Sequence, residues 1–67
     1  MNIPGFSTSG LLMMHNSIHQ ALAVDDNIEK GKDKPYGVRE YRDWKEMSDA
    51  IEKELTTRAI KFQAVPW

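Results

Sequence analysis

Residues 43–65 read DWKEMSDAIEKELTTRAIKFQAV, and the fold turns on where the periodicity of this stretch changes. Trp44, Met47, Ile51 and Leu55 recur at the spacing of one helical stripe, with Ala50 beside them. Asp43 offers a carboxylate to the free N–H groups of a first turn, and Glu46 three residues later completes the pattern of a capping box. Asp49 with Lys53 and Glu54 with Arg58 are acid-before-base pairs at i, i+4. These features predict an amphipathic helix from Asp43 to Arg58. Beyond it Ile60, Phe62 and Ala64 alternate with Lys61 and Gln63 until Pro66, the pattern of a short half-buried strand.

Upstream of this helix, Tyr36 to Tyr41 combines two tyrosines and a valine with no helix-forming run, and a second short strand is expected there, weakened by Gly37. Residues 25–35 mix acids and bases around the single aliphatic Ile28 and predict a mobile charged loop. Ile28 marks either a short helical turn or a contact with a partner. Before the loop lies a first helix. Ser7 is its expected N-cap, and Phe6 and Leu11 are spaced for a hydrophobic staple. Leu11, Met14, Ile18, Ala21 and Leu22 form its buried stripe, whereas Met13 falls on the opposite side with Asn16, Ser17 and Gln20. The expected fold class is therefore α+β, a single domain over residues 1–67 ordered helix, strand, helix, strand, with a two-stranded sheet packed on two helices. Two parallel strands alone bury little and leave open edges, so joining edges in a homodimer would complete the sheet. The alternative is an all-α helical hairpin with extended arms.

Composition narrows the functional classes. With 67 residues and no cysteine, the chain has neither disulfides nor thiolate metal sites to support a small core. A formal charge of −1 provides no concentrated basic face for nucleic acid or an anionic membrane. Lys30, Lys32, Lys34, Arg39, Arg42 and Lys45 are interrupted throughout by acids, which marks a solvated charge run. Leu11 to Met14, the longest apolar run, is far too short for a bilayer span or a signal-peptide core, and a cytoplasmic location is expected.

No catalytic motif is assembled, so the chain is expected not to be an enzyme and to use no cofactor. There is no glycine-rich phosphate loop and no nucleophile elbow, and the Ser7 to Ser9 cluster is explained by helix capping. His15 and His19 are the metal-binding candidates, since residues four apart on a helix point the same way; the acid that follows the first histidine in zinc-protease helices is absent, and spacing fixes no third ligand. Met13, Ile28 and Trp67 are the candidate interaction residues. Trp67, after Pro66, either folds back over the domain or reaches into a partner. The resulting expectation is a non-catalytic protein–protein interaction or adaptor module that self-associates and meets another protein, with a metal- or ligand-sensing module built on the histidines as the alternative.

Overall fold

The computed structural model describes residues 2–67 and contains two α-helices, α1 (Thr8–Asp26) and α2 (Arg42–Thr57), preceded by a 3₁₀ turn at Ile3–Gly5. The helices form a hairpin, and extended arms flank it. No strand occurs among the described residues, so the α+β expectation is overturned and the helical hairpin stands in its place.

Helix α1 begins where Ser7 Oγ accepts the N–H of Gly10 at 3.0 Å. Its buried stripe is Leu11, His15, Ile18, Leu22 and Asp25, with Ala21 alongside. Those intervals of four, three, four and three keep one face turned inward over the whole helix. Phe6, expected to staple onto Leu11, remains partly exposed. The C-terminal turn extends past the expected end and takes in Asp25 and Asp26, so these two acids belong to the helix and not to the loop. Lys34 Nζ donates to the carbonyls of Asp25 (3.0 Å) and Ile28 (3.1 Å), placing a cation on the free carbonyl end of the helix.

Helix α2 starts at Arg42, with Tyr41 in the N-cap position and no side-chain cap bond, so the Asp43–Glu46 capping box does not form. Asp43 instead occupies the first turn, where its charge still favours the helix dipole. Asp49 pairs with Lys45 (3.2 Å), not with the expected Lys53, while Glu54 and Arg58 pair at 2.8 Å as expected. Ser48, Ile51 and Leu55 are its buried positions, with Trp44 and Met47 packed at the margin. The helix ends in a Schellman motif: the Ile60 N–H reaches Leu55 O (2.9 Å), the Ala59 N–H reaches Thr56 O (3.0 Å), and Ala59 sits at φ +59°.

The two expected strands fail for a common reason, which is that their backbone groups are taken elsewhere. At Gly37 the chain turns through φ +66°, and Gly37 O accepts both the Glu40 and Tyr41 N–H groups. A Cβ there would lie 2.6 Å from the Tyr41 ring, so glycine is needed for space as well as for its torsion. The Tyr36 and Val38 N–H groups go to the Asp25 carboxylate, at 3.1 and 2.8 Å. In the C-terminal arm, Val65 N–H donates to Glu52 Oε2 (3.0 Å) and Gln63 O takes the His19 ring N–H (2.7 Å). The arm is extended, but side chains of the helices replace a neighbouring strand.

The core is Leu11, Ile18, Ala21, Leu22, Ile51 and Leu55 between the helices, closed by Val38 from the connection and Val65 from the arm. Arg58 binds the ends together. Its guanidinium donates to Glu54 (2.8 Å), Thr8 Oγ1 (3.1 Å) and the carbonyls of Pro4 (3.2 Å) and Phe6 (2.8 Å). At the other end Arg39 forms a fork to both Asp26 oxygens at 3.0 Å and also donates to the carbonyls of Pro66 and Trp67. The C-terminal arm therefore runs alongside both helices, with Phe62 and Gln63 at the histidines and Trp67 beneath Lys45.

Candidate functional site

Two features stand apart from the packing: the outer face of α1 and the pocket at its histidines. From Thr8 to Val24 the helix carries no Asp, Glu, Lys or Arg. Its solvent side presents Met13, Ser17, Gln20 and Val24 along one stripe, flanked by Leu12 and Asn16. Met13 is 71% exposed and Val24 44%. Ser17 Oγ donates back to Met13 O at 3.0 Å, so even this hydroxyl is satisfied within the helix. The outer side of α2 is the opposite, with exposed Asp43, Lys45, Glu46, Asp49 and Lys53. The outer side of α1 is thus uncharged, whereas that of α2 is charged.

His15 and His19 lie with ring centres 4.8 Å apart in an edge-to-face arrangement. His15 is 4% exposed, on the core stripe, with its Nε2 2.8 Å from Glu52 Oε2 and its ring edge-on to Phe62 at 5.4 Å. His19 is half-buried and directs Nε2 at Gln63 O. Both acceptors are oxygens without hydrogen, so each Nε2 must carry the proton. The two rings, with Leu12, Asn16 and Phe62, line a pocket of about 390 Å³. Among the described residues no group of three or more His, Cys, Asp or Glu is arranged to hold a metal ion.

The remaining candidates fall in separate places. Ile28 is half-buried after α1, its N–H on Asp25 O (3.1 Å) and its carbonyl on Lys34. With Lys30, Lys32, Glu40 and Tyr41 it borders an open groove of about 870 Å³. Trp67 folds back on the core with Lys45 Nζ 5.6 Å from its ring centre. Beside it the Arg39 guanidinium holds the Asp26 carboxyl below its ordinary range, chiefly through their hydrogen bonds, and is itself raised by them. Asp25, Glu52 and Arg39 organise these places through Val38, His15 and Trp67, a role the sequence pattern did not assign to them. Asp25 had a legible signal, since it follows Leu11 and Ile18 at heptad spacing. The chain matches no protein-family model, no curated protein and no solved structure.

No helix among the described residues is long and apolar enough to cross a membrane.

Proposed function

We propose that the chain is a non-catalytic interaction module that pairs with a second copy of itself through the outer face of α1. The observation that carries this reading is the order of residues on that face. Met13, Ser17, Gln20 and Val24 are spaced four, three and four apart and run apolar, polar, polar, apolar. Such a stripe is its own complement when two helices meet antiparallel about a two-fold axis between Ser17 and Gln20. Met13 of each copy then meets Val24 of the other, and Ser17 meets Gln20. With no charge on the face, a strongly charged partner has nothing to pair with, and only apolar burial and neutral hydrogen bonds act there. A sheet-edge dimer has no support once the strands are gone; the helix face supplies a different route to association. A cytoplasmic setting goes with this reading, since a cysteine-free chain draws nothing from an oxidising compartment.

Sedimentation at micromolar concentration tests it. The native chain should have the mass of a dimer, and Met13→Lys should reduce it to a monomer of unchanged helix content. Mixing Met13→Lys with Val24→Glu chains should restore a dimer, because the antiparallel register brings the new charges together. A monomeric native chain, or a dimer untouched by Met13→Lys, refutes the proposal.

A further inference from the structure

We propose that the C-terminal arm, residues 60–67, is an exchangeable strap, and that the groove it fills between α1 and α2 accepts the same segment from a second copy of the chain. The first observation is how the arm is held. Phe62 lies edge-on to His15 at 5.4 Å, Val65 is buried in the core, and Trp67 packs at its margin. Gln63 O accepts the His19 Nε2–H (2.7 Å), the Val65 N–H donates to Glu52 Oε2 (3.0 Å), and the carbonyls of Pro66 and Trp67 accept from Arg39. Each of these is a contact with a side chain of the hairpin, and among the described residues no backbone bond joins 61–67 to either helix. A second copy offers the same side chains in the same places, so all of these contacts survive exchange.

The second observation is where the arm is attached. Its return along α2, which brings Val65 to Glu52 and Trp67 to Lys45, starts at Ala59, an exposed non-glycine residue at φ +59°. An L-residue is strained there. With Ala59 in the right-handed helical torsion instead, α2 gains a residue, and the Ala59 and Ile60 N–H groups reach the Leu55 and Thr56 carbonyls at the ordinary helical spacing. The closed turn uses the same two donors and the same two carbonyls crosswise, Ala59 on Thr56 and Ile60 on Leu55. Opening therefore loses no hydrogen bond at the hinge, removes the strain and aims the arm away from its own groove. A short hinge under strain is the kind that favours exchange between copies.

Concentration sets which form prevails. A short tether holds the arm at its own groove with an effective concentration on the order of millimolar. Exchange therefore sets in as the chain approaches that range and the arm has been released, whereas outer-face pairing of α1 is read at micromolar concentration in chains folded dilute. In the exchanged pair each histidine pocket is built from both copies, with Leu12, His15, Asn16 and His19 from one and Phe62 and Gln63 from the other.

The test uses full chains carrying Met13→Lys, which takes outer-face pairing out of the readout, so the two proposals fail independently. One batch also carries Asn16→Cys and the other Gln63→Cys, both exposed positions that line the same pocket. The batches are mixed, unfolded by heat, refolded together at millimolar concentration, diluted and treated with a short bis-maleimide. The expected product is a dimer linking residue 16 of one chain to residue 63 of the other, and chains refolded dilute before mixing should give none. Ala59→Gly in both batches should lower the dimerisation constant by roughly twentyfold, since the strain released at each of the two hinges is worth about fivefold. Monomers after concentrated refolding, a dimer without the 16-to-63 link, or exchange undiminished by Ala59→Gly would overturn the proposal.

Discussion

The carboxylate of Asp25, 2% exposed near the end of α1, accepts the backbone N–H of Val38 at 2.8 Å and so fixes the residue that closes the core between the helices. A second bond, from the Tyr36 N–H at 3.1 Å, makes Asp25 the inner anchor of the whole connection. Replacing Asp25 with Ala leaves a buried N–H without a partner, at a cost of about 2 kcal/mol. Urea unfolding of Asp25→Ala should show that loss, with faster amide exchange at Val38 and unchanged exchange in the first turns of α1.

Ala59 occupies the left-handed position that ends α2, at φ +59°. An L-residue with a Cβ pays roughly 1 kcal/mol there, a strain glycine does not feel. Ala59→Gly should therefore stabilise the protein by about that amount, and thermal melting should show a midpoint higher by several degrees. A lower midpoint would mean that the methyl group makes a contact worth more than the torsion.

Ser48 is fully buried with no partner for its hydroxyl. An enclosed, unpaired polar group is destabilising, and alanine is both apolar and the better helix former. Ser48→Ala is expected to raise stability by about 1 kcal/mol. Chemical denaturation measures this directly, and Ser48→Val should do the reverse, because the added methyl groups overfill the gap between α1 and α2.

Asp26 and Arg39 join the end of α1 to the carbonyls of Pro66 and Trp67. The pKa of Asp26 is lower in the folded chain than its ordinary value of 3.8, first because Arg39 hydrogen-bonds the ionised carboxylate. The unfolded chain therefore takes up the proton first as pH falls. The contribution is complete above pH 3.8 and is lost as pH drops through the lower folded value. Both side chains are nearly half exposed, so salt should weaken the effect. An acid titration of stability should lose this component in Asp26→Asn.

Both helices were legible in the residue pattern, because a stripe repeating near 3.6 positions reports local geometry directly. The Ser7 cap was legible for the same reason, being decided within three residues. The strands were misread because alternation of apolar and polar residues shows only that a segment is extended and half-buried. It does not show where the N–H and C=O groups go. For Val65 the acceptor is Glu52, and for His19 the carbonyl is that of Gln63, 44 positions away. No local pattern encodes such bonds. The depth of His15 was hidden by the same distance, since its partner Glu52 lies 37 positions along the chain.

The arm that carries Val65 also has a consequence for how the molecule forms. Both helices are assembled from neighbours in the chain and can begin early, but the groove between them stays open until a segment beyond α2 returns along it. Bringing Gln63 to His19 closes a loop of 44 positions and Trp67 to Arg39 one of 28, both after the local helices. The histidine pocket, walled on one side by Phe62 and Gln63, is completed in that same step. Any event that peels the arm away, even briefly, uncovers the hydrophobic seam and dismantles the pocket together, so the lifetime of the docked arm sets the lifetime of both.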